Sequence, residues 1–203
     1  MEKKTSSRIC AVVLELLDHF GDGSAVSMRR VAKEVGVTPM AIYKHFPNRS
    51  ALLEAATSTE YKRIGGYFRR ANARKNVRGL RGMLGYLDYA FDHPHLFQYM
   101  FSSVRKDAYR FPSDLKAGKS PTMNILRSIV ERAMKSRRFR PDDVDEVSLT
   151  IWAHAHGLIM LYLAGRIDLT RAQFRRLYMH SLNRLLEGLC SQVPIPDSHK
   201  QGL

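Results

Sequence analysis

The sequence is poor in the residues that would build a cross-linked, metal-bound or membrane-spanning protein. It holds two cysteines in 203 residues, Cys10 and Cys190, near opposite ends. That number and spacing exclude a disulfide framework and a CxxC metal site. Two reduced thiols are the plain reading and a redox switch the lesser one. No stretch reaches the ~18 consecutive apolar residues that a membrane span requires. The charged opening MEKKTSSR leads to CAVVLELLDHF, where Glu15, Asp18 and His19 interrupt the apolar residues. That is an amphipathic helix pattern and not a signal peptide, so a cytoplasmic protein is expected. Alternating strand patterns, internal repeats and low-complexity blocks are all missing. Acidic residues are scarce too: Asp+Glu number 19 against Lys+Arg 33, for a net charge of +14 and a pI near 10.1. Such an excess favours a polyanionic partner, nucleic acid or an anionic membrane surface, but charge alone does not choose between them. A hydrophobic content of 44% is ample for a packed core and argues against a disordered basic tail.

What is there is organised around residues 27–53, SMRRVAKEVGVTPMAIYKHFPNRSALL. Met28, Val31, Ala32 and Val35 recur at i, i+3, i+4 and i+7, giving one apolar helix face. Ser27 precedes it as an N-cap. Gly36 ends the helix where a left-handed residue is cheapest. Val37 points back to the core, and Thr38-Pro39 reopens a helix with a cap and a proline at its first position. Helix, glycine turn and capped helix together make the helix-turn-helix pattern of a DNA-reading head.

The remainder reads as helices. Ile9, Val12, Val13, Leu16, Leu17 and Phe20 keep helical spacing over residues 5–20, and GDGS ends that helix. Pro47 breaks the second short helix. Asn48 caps the next one, which carries Leu52, Leu53 and Ala56 inward and runs to about Asn72, with Gly65-Gly66 expected to kink or loosen it. Residues 76–82, NVRGLRG, form a boundary or short linker. Apolar helical patterns follow at Met83–Phe91 and Leu96–Val104. DAYRFPSDLKAGKSP is a loop with one helical turn, Ser120-Pro121 opens a helix through Met134, and SRRFRP is a basic connector. Residues 142–164 form a long helix with two apolar stripes, one of Val144, Val147, Ile151, Leu158 and Tyr162, the other of Trp152, Ala155, Ile159 and Leu163. A helix apolar on most sides must bury both faces, one in its own domain and one against a partner subunit. Thr170-x-x-Gln173 is a capping box opening the last helix, with Phe174, Leu177, Tyr178, Leu182, Leu185 and Leu189 at helical spacing. The chain is expected to be all-α, with about nine helices and a disordered tail over 191–203.

Catalytic and metal chemistry find little support. His93/His95 and His154/His156 are i, i+2 pairs, which point to different faces of a helix. No GxSxG-type or carboxylate-rich site accompanies them. No enzyme, metal or cofactor is expected.

GVTPMAIYKHFPNRSALLEA resembles the helix-turn-helix of the TetR family of bacterial transcriptional regulators, through Gly36, Tyr43, His45, Phe46 and Arg49. The likeness covers residues 8–56. WAHAHGLIMLYLAGRID is similar to a tryptophan–histidine–glycine motif of one TetR subgroup, carried by Trp152, His156 and Gly157, and HPHLFQYMF at 93–101 resembles the opening of the family's sixth helix. The resemblance implies a DNA-binding head over 1–50 with a connecting helix at 49–74. It also implies an effector-binding and dimerisation domain over 76–190, and a homodimer through the last two helices. It further implies that Thr38, Pro39, Met40 and Lys44 face the major groove. Pro39 and Met40 can offer only apolar contacts, and Pro39 equally suits a simple helix starter. Lys44 can donate to guanine or rest on a phosphate. Tyr43 and His45 would clamp phosphates, His45 alternatively packing beside Phe46; Ser27, Arg29 and Arg49 are further phosphate candidates. Ala41 and Ile42 suit the core, Arg30 and Lys33 a solvated face, and Lys3, Lys4 and Arg8 an arm toward the minor groove. Met40 is bulkier than in many members and Lys44 follows Tyr43, so no relative's operator sequence transfers. Tyr86, Phe97, Met100, Phe101, Trp152 and His156, with Phe91 and Tyr162, are candidates to line an effector cavity; ordinary core packing is the alternative for each. The implied function is a dimeric, sequence-specific regulator, a repressor released from its double-stranded operator by a hydrophobic or amphipathic effector. A non-specific basic nucleoid protein, or a membrane-surface protein using the basic stretch 60–78, is the alternative.

Overall fold

The computed structural model describes residues 2–73, 81–102 and 108–190, and these contain helices and no strand. Helix α1 (Glu2–Phe20) is followed by a 3-10 turn at Gly23–Ala25, then α2 (Met28–Val35), α3 (Pro39–His45) and α4 (Arg49–Ala73). The second part comprises α5 (Gly82–Asp92), α6 (Pro94–Ser102), α7 (Ser113–Lys116), α8 (Pro121–Lys135), α9 (Val144–Leu163) and α10 (Arg171–Cys190). Ten α-helices thus stand among the described residues where about nine were expected. The tenth is α7, the single turn anticipated inside a loop. Most of the 76–82 linker and all of the 191–203 tail lie outside the described residues.

Local chemistry accounts for the short elements. Ser27 Oγ accepts from the Arg30 amide at 3.2 Å, and Thr38 Oγ1 from the Ala41 amide at 3.3 Å, so each head helix begins on a satisfied cap. Gly36 has φ 75°, and the Val37 amide folds back to the Ala32 carbonyl at 2.9 Å. Asn48 Oδ1 caps α4 through the Ala51 amide at 2.9 Å. Thr170 and Gln173 exchange both bonds of the capping box, at 2.9 and 3.3 Å.

Two expectations are corrected by packing. The α4 helix runs unbroken through Gly65 and Gly66. Gly65 is buried, and a Cβ there would meet Ile125 Cδ1 of α8 and Arg69 Nη1, each at 3.4 Å, so α8 packs directly beside the glycine. The two stripes of α9 regroup as well: Val147, Ile151, Ala155 and Ile159 form the one fully buried face. Trp152, Leu158, Tyr162 and Leu163 are half-buried around it, and Leu161 remains 49% exposed.

The long α4 joins the head to the helical body. Its first turns pack on α1, its later turns on α5 and α8. The approach to α5 is close enough that a side chain at Gly85 would collide with the Tyr67 backbone, and one at Gly82 with the Phe68 ring. A second tie runs from α1 to α6. Asp18 Oδ2 lies 2.6 Å from His93 Nδ1, the Asp18 carbonyl 2.9 Å from His95 Nδ1, and Asp18 Oδ1 accepts from the Leu96 amide at 3.4 Å. The paired histidines are therefore anchors between helices. Buried side chains from Ile9 to Leu189 form one continuous core across both parts.

Candidate nucleic-acid interface and ligand cavity

The head presents α3 outward. Ile42 is fully buried and Phe46 nearly so, and these two anchor the helix from below, each contributing roughly 1.5–3 kcal/mol by burial. Thr38, Pro39 and Lys44 are exposed, Met40 is 68% exposed and Tyr43 48%. Two large, partly apolar side chains are thus left in solvent on a seven-residue helix. Ser27 and Arg29 are exposed beside it, and His45 is half-buried with its ring 6.3 Å from that of Phe46. Ala41 is half-buried, in keeping with its place next to Ile42.

Two basic residues, Arg49 and Arg30, behave differently from a freely solvated surface. Arg49 donates from Nε to the Val26 carbonyl at 2.6 Å and from Nη2 to the Gly23 carbonyl, so two of its N–H groups close the 3-10 turn onto α4. Arg30, expected on a solvated face, is half-buried with its guanidinium 4.4 Å from the centre of the Phe20 ring. Lys4 and Arg8 are exposed on α1, which is helical from Glu2, so no extended arm begins at these positions.

In the body, a cavity of about 200 Å³ opens between α4, α6, α8, α9 and the chain around Tyr109. Met100, Phe101 and Trp152 are among the residues that line it. Tyr86, Phe97 and His156 stand behind them as a second layer. The indole Nε1 of Trp152 donates to the Tyr86 oxygen at 3.2 Å, and that oxygen lies 3.0 Å from His156 Nδ1. An indole only donates, so the Tyr86 oxygen accepts from Trp152 and shares a second hydrogen bond with His156 Nδ1. Burial pushes the His156 pKa down to about 4, which keeps the ring neutral at physiological pH. Burial likewise holds the Tyr86 phenol far above its ordinary value. Trp152 and His156 stack at 5.1 Å, with Phe97 and Phe101 packed against the imidazole. Phe91 and Tyr162 lie elsewhere, grouped with Phe174 of α10.

The cavity also takes Tyr61, Tyr109, Leu115 and Met123, which the sequence did not single out. Tyr61 continues the inward face of α4 beyond Leu52 and Ala56, a pattern that helical spacing carries. Tyr109 comes from an irregular segment and Leu115 from the single-turn α7, neither with a comparable signal. The polar lining of the cavity includes the exposed Arg110, the buried Ser120 and the half-buried Thr122. Among the described residues no group of three or more His, Cys, Asp or Glu side chains is placed to hold a metal ion, and no helix is long and apolar enough to cross a membrane. Cys10 is buried, which raises its thiol pKa and makes it less reactive, while Cys190 is exposed.

Comparison with known proteins follows the same division. Residues 22–56 match the family model of bacterial regulatory proteins of the tetR family, and residues 80–185 match that of the tetracyclin repressor-like C-terminal domain. No curated protein matches the sequence. Among solved structures, a protein of unknown function from Rhodococcus sp. RHA1 superposes with a TM-score of 0.76 at 23% identity, over 92% of this chain and 96% of its own. A TetR family transcription regulator from Marinobacter aquaeolei VT8 gives 0.63 at 17%, over 90% and 97%. The fatty acid degradation regulator FadR from Bacillus halodurans gives 0.67 at 15%, over 90% and 98%. At these identities the likeness concerns the fold. The two family models together take in the outward-facing helix-turn-helix and most of the helical body behind it, and on that ground the chain belongs to the TetR family of DNA-binding transcriptional regulators.

Proposed function

We propose that the protein is a homodimeric, sequence-specific repressor whose hold on a double-stranded operator is released by a small hydrophobic or amphipathic effector. The observation that carries this reading is the exposure of Met40 and Tyr43 on a helix whose opposite face is fully anchored. Thr38, Pro39, Met40 and Lys44 face the major groove in this reading. Tyr43, His45, Ser27 and Arg29 hold phosphates, and the N–H groups Arg49 has left join them. The uncovered apolar side of α9, centred on Leu161, packs with α10 against a second copy. Gly157 supports this: beyond its own helix backbone, nothing among the described residues lies within 4 Å of where its Cβ would be. A mid-helix glycine costs about 1 kcal/mol relative to alanine, and close approach of a partner helix gives it a reason.

The aromatic cavity receives the effector. Met100 and Phe101 on its wall belong to α6, whose N-terminus Asp18 ties to α1. A ligand that repositions α6 therefore acts on the head, provided it binds that conformer more tightly than the DNA-bound one. Gel shifts with DNA from upstream of its own gene test the proposal. A retarded complex that survives excess shuffled competitor supports it, and equal affinity for shuffled duplex at moderate salt overturns it in favour of a non-specific basic protein.

A further inference from the structure

A second opening lies away from the aromatic cavity, where the later turns of α4 meet α5 and the start of α10. It is larger, about 710 Å³, and its wall is charged. Four arginines, Arg70, Arg81, Arg171 and Arg175, face two aspartates, Asp88 and Asp92. Both aspartates are engaged: Asp88 in an ion pair with Arg175, and Asp92 as acceptor of the Tyr67 hydroxyl proton at 2.8 Å. Arg70 and Arg171 are held in another way. The Arg70 guanidinium lies 4.5 Å from the centre of the Tyr67 ring, and that of Arg171 lies 5.2 Å from the centre of the Phe91 ring. Among the described residues neither has a carboxylate within ion-pair distance.

A guanidinium laid on a ring face has its plane set by that ring while its N–H edge stays open. The edge is the part that grips a phosphate or carboxylate in two parallel bonds. Two such groups on one concave wall, with a positive surplus after the aspartates are counted, form a pre-organised anion receptor. An interhelical salt-bridge network would instead have placed a carboxylate opposite each arginine, as Arg175 and Asp88 do.

We infer that this cleft binds a small phosphate-bearing ligand, with Arg70 and Arg171 as the direct anion contacts and Asp92 as an acceptor for a ligand hydroxyl. Arg171 belongs to α10 and Arg70 to α4, so a bound anion bridges the helix that leads from the head to a helix of the proposed dimer interface. That regulatory consequence rests on the proposed function, whereas binding of the anion does not.

Calorimetry on the full chain without DNA tests the binding directly, with inorganic pyrophosphate as probe, citrate as the carboxylate comparison, and about 0.1 M salt to screen diffuse attraction. The expected result is one pyrophosphate per chain, bound more tightly than citrate. Arg70→Gln and Arg171→Gln each weaken it roughly tenfold or more, the loss of a charge-assisted bond. Arg132→Gln, on the exposed side of α8, leaves it unchanged, and circular dichroism shows all three variants folded. Absence of pyrophosphate binding overturns the inference. So does equal weakening by Arg132→Gln, which marks bulk charge attraction. Displacement of pyrophosphate by any short duplex, with Arg171→Gln weakening DNA to the same degree, also overturns it and assigns the cleft to the DNA backbone.

Discussion

At the scale of the residue, the proposed function divides the surface of α3 between side chains that hold position and side chains that read. Tyr43 carries a hydroxyl on a half-exposed ring, suited to a phosphate oxygen and indifferent to sequence. Removing it by Tyr43→Phe is expected to weaken binding by a similar factor, about 5- to 20-fold, on every duplex tested. Lys44→Ala separates two roles. A phosphate contact lowers the salt slope of log K by about one, whereas a base contact relaxes the preference at a single position. Binding isotherms over a salt series, repeated on single-base variants of the bound site, distinguish them.

His156 supplies a different residue-scale prediction. Its folded-state pKa of about 4 lies below the 6.5 of a free histidine because burial disfavours the imidazolium. The unfolded chain therefore binds the proton first. The contribution of the neutral ring is fully present above pH 6.5 and is lost as pH falls toward 4, a change on the order of 2–3 kcal/mol. Urea melts across this range should show the native protein losing more stability than His156→Gln, which has no such titration. Identical pH profiles for the two proteins contradict the buried neutral imidazole.

At the scale of the element, α4 and α5 are joined by backbone contact and not by side chains alone. Gly85→Ala sets a methyl against the Tyr67 carbonyl, backbone that cannot rotate aside, so the two helices must separate. The expected cost is at or above the upper end of about 1–3 kcal/mol, the usual range for overpacking. Chemical denaturation measures it, and a change below about 0.5 kcal/mol shows that the approach is looser than described.

Much of this scale was legible in the sequence. Ser27, Thr38, Asn48, Ser120 and Thr170 announce helix starts because a cap acts on amides two or three residues away. Gly36 announces an end for the same local reason. Gly65-Gly66 misled, since a glycine pair reads as a break unless one knows that Ile125, sixty residues on, fills the space beside it. The cavity was half legible. Met100, Phe101 and Trp152 lie on recognisable apolar faces, but Tyr109 and Leu115 reach it from the irregular chain before α7 and from the single turn of α7, whose positions depend on the rest of the fold. Asp18 is a plain helix-surface acid in the sequence, and only the fold brings it to the start of α6. The arginine cleft was invisible for the same reason, its residues being spread from Arg70 to Arg175.

At the scale of the whole molecule, the account depends on pairing. One head covers a single half-site. In the proposed dimer two heads read together only if α9 and α10 hold them at a fixed separation, ~34–36 Å for successive major grooves. Leu161→Arg places a charge in the proposed interface at a position already 49% exposed in the single chain. The variant should remain helical while sedimentation shows monomers at concentrations where the native protein is dimeric, and its operator affinity should fall by at least tenfold. An unchanged dimer moves the interface away from this face of α9.

The central claim is that two copies of this chain read DNA by sequence. Selection of bound duplexes from a random pool by the full-length protein addresses it most directly. The account predicts enrichment of one inverted repeat whose half-sites are centred about one helical turn apart, or a multiple of it. Recovery of an unenriched pool, bound with a steep salt slope and no shared motif, would contradict it.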